Sequence, residues 1–186
     1  MHETALAERD LVIRALASDR GAFEALFALH GEALYRIAHA ILQDRDDAED
    51  ALQEVAVKVL CGLKRFDANR PLLPWLRRIM VNECLSHLRR RRPTDPLTPD
   101  LPSVAQSPQL ASEATEWQRR LGLALESLPS RQRAAMVLFG LDGLDLRSTA
   151  EAMGCSVGAV KSHVHHGRRK LAAALADLLS PEGQWT

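Results

Sequence analysis

The stretch that decides the fold runs from Asp145 to Leu171, DLRSTAEAMGCSVGAVKSHVHHGRRKL. It reads as a short helix to Met153, a three-residue turn holding Gly154, and a longer helix with Ser156 as its N-cap. Helix, glycine-containing turn and second helix make a helix-turn-helix. Helical spacing buries Val157, Val160, Val164 and Leu171 of the second helix. Gly158, Ala159, Lys161, Ser162, His163, His165, His166, Arg168 and Arg169 are left on its other faces. Residues 147–171 carry five Lys/Arg against one acid. Such a helix is either a basic face on an interaction domain or one shaped for a DNA groove. In the second case the small residues 158 and 159 permit close backbone approach, Lys161, Ser162 and a histidine can donate to base edges, and the arginines hold phosphates.

Working outward, the 186 residues are 46% hydrophobic, enough for a core, and no apolar run approaches the ~18 residues of a membrane span. The first residues, MHETALAERDLVIRAL, carry charges where a secretory signal needs an apolar stretch. Cys61, Cys84 and Cys155 are odd in number and lack a CxxC pair, so they make no disulfide framework and fit a reducing compartment. A cytoplasmic protein without membrane insertion is expected, with Cys61 and Cys84 as core thiols. The formal net charge is zero, yet residues 1–60 hold twelve acids against six bases, and residues 61–186 twelve against eighteen. That division points to a basic partner for the front and a polyanion for the rest.

Five prolines fall within Pro93–Pro108, PTDPLTPDLPSVAQSP. Proline removes backbone donors and turns its predecessor away from helix, so 93–112 is read as a linker between a front module, 8–92, and a back module, 113–179. Both modules read as helical throughout and strand alternation is absent, which predicts an all-α fold of two small domains. In the front, apolar residues recur at Leu11, Ala15 and Leu16, at Phe23, Leu26, Phe27, Leu34, Ile37, Ala38 and Ile41, and at Ala48, Leu52, Val55, Val59 and Leu63. Asp46 or Asp47 is the expected cap of the third of these helices. A further helix follows the loop RFDANRP, with Trp75 packing beside Ile79, Met80 and Leu88. In the back module Pro129 ends one helix and Ser130 is the expected cap of the next.

LPSRQRAAMVLFGLDGLDLRSTAEAMGCSVGAVKSHVHHGRRKLAAAL, which opens on leucine-proline-x-x-x-arginine and carries valine-lysine-serine in its recognition helix, resembles region 4 of bacterial RNA polymerase sigma factors. DAEDALQEVAVKVL resembles their region 2.2, and RFDANRPLLPWLRRIMVNECLSHLRRRR their regions 2.3 and 2.4. The order of motifs, and the lack of a bulky domain before or between them, resembles the compact extracytoplasmic-function type.

The resemblance implies a protein that binds core RNA polymerase and directs it to promoters. Asp47, Glu49, Asp50, Gln53 and Glu54 then form the acidic helix that docks on the polymerase. Phe66, Asn69 and Asn82 would capture and stabilise bases of the melted minus-ten element, with Arg77, Arg78 and Arg89 to Arg92 on phosphates. Lys161, Ser162 and His165 would read the minus-35 element, with His166, Arg168 and Arg169 on its backbone. An anti-sigma protein is an implied partner. Many relatives carry arginine at the places of His163 and His166, an aromatic residue near Val57, and an apolar residue where Thr149 stands.

A metal site at Cys155 with His163 and His166 lacks the four matched ligands of a structural zinc site, so groove-facing or solvated histidines are preferred and no metal or other cofactor is assigned. The chain shows no phosphate-cradling glycine loop, nucleophile motif or paired-carboxylate site, and no enzyme activity is assigned. Two rivals stand beside the sigma-factor reading. A one-component helix-turn-helix regulator would bind its operator without polymerase, usually as a dimer. A helical adaptor would show no salt-dependent DNA binding.

Overall fold

A computed structural model describes residues 2–91 and 116–176, with side chains placed for 7–91 and 117–176. The linker at 93–112 and Arg92 lie outside the described residues. Every regular element among the described residues is helical: α1 (His2–Leu16), α2 (Arg20–Leu42), α3 (Arg45–Gly62), α4 (Leu72–Arg90), α5 (Glu116–Glu126), α6 (Ser130–Met136), α7 (Leu146–Met153) and α8 (Val157–Ala174). A single 3-10 turn, Leu63–Arg65, follows α3, and a π turn, Val137–Leu141, extends α6.

The front module is α1 to α4. Asp19 caps α2, its Oδ1 accepting from the Ala22 amide at 3.1 Å, and the helix buries Leu26, Leu34, Ile37, Ala38 and Ile41. The cap of α3 is Asp44, not Asp46 or Asp47: its backbone is extended and its Oδ1 accepts from the Asp47 amide at 3.0 Å. Asp46 and Asp47 already lie in the first turn, where the helix dipole favours a carboxylate but a cap cannot form. α3 buries Ala48, Ala51, Val55 and Val59, and α4 buries Leu72, Leu76, Met80, Val81, Cys84 and Leu85. Burial pushes the Cys84 thiol up to about 12. Cys61 is exposed, contrary to expectation, because it falls two residues off the Val55, Val59, Leu63 stripe. Trp75 packs as expected, its ring 5.0 Å from that of Phe66.

In the back module α6 begins after Pro129, whose extended backbone makes it the last non-helical residue, so Ser130 is the first helical residue and not the cap. Asp145 caps α7, accepting from the Ser148 amide at 2.6 Å. Gly154 closes it in the left-handed region at φ 61°, a conformation glycine adopts without penalty. Ser156 caps α8 as expected, accepting from the Ala159 amide at 3.2 Å. Thr149 sits fully buried where an apolar residue was expected, and its hydroxyl donates to the Asp145 carbonyl at 2.8 Å. That bond satisfies the one polar atom the core would otherwise reject.

The buried stripe of α8 is Val160, Val164 and Gly167, with Leu171 half-buried. Val157 is exposed: it opens the helix, ahead of the surface that α6 covers. Gly167 is the point of closest approach to α6, since a Cβ there would stand 2.6 Å from Met136 Cγ and 3.0 Å from its sulfur.

The two modules also pack on one another. α7 lies along α4, α5 touches α2, and the buried residues of both halves form one continuous apolar cluster. Arg133 of α6 donates across the junction to the Ile41 carbonyl at 2.8 Å, and within its own module to the carbonyls of Glu126 and Leu128.

Gly167→Ala is expected to lower stability. Overpacking against Met136 costs about 1–3 kcal/mol, more than the roughly 1 kcal/mol a helical Gly→Ala gains from propensity. Gly31, in the middle of α2 with nothing within 4 Å of its would-be Cβ, should show the propensity gain alone. Thermal unfolding of the two variants should therefore move in opposite directions.

Candidate nucleic-acid and partner interfaces

Three surfaces hold the residues singled out in the sequence. On α3, Glu49, Asp50, Gln53 and Glu54 are exposed on one side of the helix. Glu49 is paired to Arg45 at 2.9 Å, and Asp50 and Glu54 point to solvent. Asp47 is different. Its carboxylate is held inside the module by His87 at 3.1 Å and by Arg91, both at the end of α4. Sequence reasoning missed the centre of this surface, Val57 and Leu60, which are exposed one and two turns beyond Gln53. The signal was available: both lie off the Ala51, Val55, Val59 stripe, where a solvated helix would be polar. That side of α3 therefore carries acids along its first half and two exposed apolar residues beyond them.

The second surface is α4 with the loop before it. Phe66 is half-buried under Trp75. Asn69 Oδ1 accepts from Arg9 of α1 at 2.8 Å, and its amide donates to Asp67 Oδ1 at 3.0 Å. Hydrogen bonds from the Asn69 backbone and side chain hold the Asp67 carboxyl below the usual range. Arg78 and Asn82 are exposed. Arg89 is exposed too and donates to Ser86 Oγ at 3.0 Å, while Arg90 is bound to Glu83 at 2.8 Å. Asn82 and Arg89, with Leu85 and Ser86, line a cleft of about 200 Å³ closed on its other side by Ser130 and Arg131 of α6. Arg77 does not face solvent: its guanidinium lies 2.8 Å from the carboxylate of Asp142, at the end of the π turn.

Glu83 was not singled out in the sequence. It is a buried carboxylate gripped by Lys58 of α3 and by Arg90. Burial drives its pKa upward, but the hydrogen bonds from Lys58 and Arg90 outweigh that and leave it lowered. Glu83 is thus ionised and ties α3 to α4.

The third surface is α8. Lys161, Ser162, His165, His166, Arg168 and Arg169 are all exposed and carried by one rigid helix. The Arg168 guanidinium lies over the Phe139 ring, its Cζ 5.2 Å from the centroid. The rings of His165 and His166 meet edge to face at 5.5 Å. His163 is half-buried; burial first, then the charge of Arg131 and its neighbour His166, lowers its pKa. Each of these favours the neutral imidazole.

Among the described residues no group of three or more His, Cys, Asp and Glu could hold a metal ion, and no helix is long and apolar enough to cross a membrane.

Comparison with known proteins places both modules. The family model Sigma-70 region 2 matches residues 26–94, and Sigma-70, region 4 matches residues 118–171. The chain is 37% identical to the ECF RNA polymerase sigma factor SigM of Mycobacterium tuberculosis over 179 residues, 95% of this chain and 88% of that one. It is 28% identical to the ECF RNA polymerase sigma factor SigW of Bacillus subtilis, covering 86% and 92%. Two solved structures are similar along most of the chain. CnrH in complex with the cytosolic domain of CnrY has a TM-score of 0.68 at 29% identity, covering 94% of this chain and 99% of that one. The sigma factor RpoE in complex with the anti-sigma factor NepR, from Bartonella quintana, has a TM-score of 0.64 at 26% identity, covering 83% and 96%. With a match to region 2 in its front half and to region 4 in its back half, this chain belongs to the sigma-70 family of RNA polymerase sigma factors, in its ECF group.

Proposed function

We propose that the chain works in the cytoplasm as a promoter-specificity subunit, the front module (8–92) docking on core polymerase and holding the melted minus-ten strand, the back module (113–179) reading the duplex minus-35 element. It performs no chemistry of its own. The observation that carries this reading is the placement of an acidic, apolar-centred helix and a cationic recognition helix on separate modules, both turned to solvent. Core polymerase meets Glu49, Asp50, Gln53 and Glu54 around Val57 and Leu60. Asp47 acts behind this face, anchoring α4 to α3. Phe66, Asn69, Arg78, Asn82 and Arg89 serve the open strand, with Arg77 joining them once its pairing with Asp142 is released. Lys161, Ser162 and His165 meet bases, and His166, Arg168 and Arg169 phosphates. Each module reaches only one short element, so useful affinity arises when polymerase holds both at fixed separation. The structures of similar sigma factors are complexes with CnrY and with the anti-sigma factor NepR. A partner of that kind is proposed here as well.

In vitro transcription with core polymerase on a promoter library tests the reading; failure to co-migrate with core and to initiate at any site would sink it. Asp50→Lys with Glu54→Lys is expected to weaken holoenzyme formation at least tenfold, about 1.4 kcal/mol, and to leave duplex minus-35 binding by α8 unchanged.

His166→Arg puts a permanent, planar guanidinium fork in place of an imidazole. At pH 8 and matched salt the variant should bind minus-35 duplex about three to ten times more tightly. Equal affinities at pH 8 would remove His166 from the phosphate contacts.

A further inference from the structure

Asn69 stands in the loop between α3 and α4, its side-chain amide held at both ends by charged groups of opposite kind. Its Oδ1 accepts from the Arg9 guanidinium at 2.8 Å, and its Nδ2 donates to Asp67 Oδ1 at 3.0 Å. The Asn69 backbone amide donates to the same carboxylate oxygen, also at 3.0 Å. These bonds, the backbone one first, hold the Asp67 carboxyl below its usual range, so it is ionised and can only accept. A guanidinium can only donate. Turning the Asn69 amide over would set N–H against N–H at Arg9 and oxygen against carboxylate at Asp67, losing both bonds and adding two repulsions. The amide therefore has one orientation.

The frame around the amide is fixed as well. α1 seats Val12 in the core, and Glu8, next to Arg9, lies 3.4 Å from the buried His30 of α2. α1 also runs against the Leu63–Arg65 turn that opens the loop. On the loop's other side Phe66 lies against Trp75, and the Arg70 amide donates to the Asp67 carbonyl at 2.9 Å. Arg9 and Asn69 are both exposed, so an incoming strand can reach the amide. Of its two N–H groups and two oxygen lone pairs, one of each is taken, which leaves one donor and one acceptor.

We propose that Arg9 and Asp67 are positioning residues that set base specificity: by forbidding the amide flip they present the remaining donor and acceptor of Asn69 to a captured base in one order. The role rests on Asn69 being a contact of the open minus-ten strand. A base that offers the wrong order along the same edge meets donor against donor, and polar groups are then left unpaired in the contact. An asparagine free to flip would accept either order. Discrimination thus comes from α1 and the loop together, and not from the asparagine alone.

Nitrogen-15 relaxation of the Asn69 side-chain amide in the full chain reads the lock without any DNA. The order parameter should be about 0.85, as in rigid backbone, and Arg9→Ala should lower it below about 0.6. A wild-type amide already that mobile would overturn the lock. Specificity is read with holoenzyme assembled from core polymerase, on a promoter library randomised through the minus-ten element. Arg9→Ala, and Asp67→Asn, whose amide can donate as well as accept, should each flatten base preference at one and the same position by roughly fivefold or more. Asn69→Ala should flatten that position too, and the others should stay unchanged. Added to Asn69→Ala, Arg9→Ala should change nothing more, an outcome that a general loosening of α1 would not give. A loss equal for all bases, with a salt slope shallower by about 1, would make Arg9 a phosphate contact and refute the role. Unaltered preference in both single variants would refute it as well. A wild-type chain that initiates at no site removes the promoter reading and the base specificity with it, while the relaxation measurement still decides the lock.

Discussion

The closed structure depends on a buried cation and the carbonyls around it. A helix leaves its last carbonyls without intrahelical partners, and burying them unpaired is costly. α2 ends at Leu42 and α5 at Glu126, one in each module, the first end buried and the second half-buried. The Arg133 guanidinium answers both, donating to Ile41 at 2.8 Å, to Glu126 at 2.7 Å and to Leu128 at 3.3 Å. Its positive charge also suits the negative ends of two helix dipoles. Removing it would orphan acceptors on both sides of a junction that is otherwise packed by apolar side chains.

Charge is partitioned in three dimensions as well as along the chain. Asp46, Glu49, Asp50 and Glu54 are exposed on α3, and Lys161, Arg168, Arg169 and Lys170 on α8. Where the modules meet, opposite charges are paired, as at Arg77 and Asp142. The chain is neutral as a whole and would gain little from long-range steering. Each outward face carries one sign and can steer its own partner within a Debye length of about 8–10 Å.

Much of this was legible before any coordinates. The helix-turn-helix could be read because a cap, a left-handed glycine and a 3.6-residue stripe are all local signals, and Ser156, Gly154 and Val160 stand where they predict. Errors arose where a local rule admits neighbours as equals. Asp44, Asp46 and Asp47 are all caps by composition, and only the backbone turn selects Asp44. Val157 belongs to the apolar stripe by spacing, yet it lies at a helix end that nothing covers. Asp142 and Glu83 were missed for another reason. Their partners, Arg77 and Lys58, lie far away in sequence, and no periodicity connects residues that meet only after folding. That α3 carries its carboxylates in its first turns was likewise readable, but that Asp47 turns inward depends on where α4 ends.

The inward turn of Asp47 has a mechanical sense. α3 and α4 are joined at two levels: Glu83 binds Lys58 and Arg90, and one turn further along α4 Asp47 binds His87 and Arg91. Apolar packing between two helices tolerates sliding, since side chains of similar volume can exchange neighbours. A buried carboxylate cannot slide without leaving its cations, because separation would strand charge in a low-dielectric site. Glu83 therefore fixes the register of α4 on α3 more tightly than the surrounding leucines and valines can. A partner that holds α3 would therefore hold α4 in the same register, whereas α4 meets the end of the π turn through the Arg77–Asp142 pair.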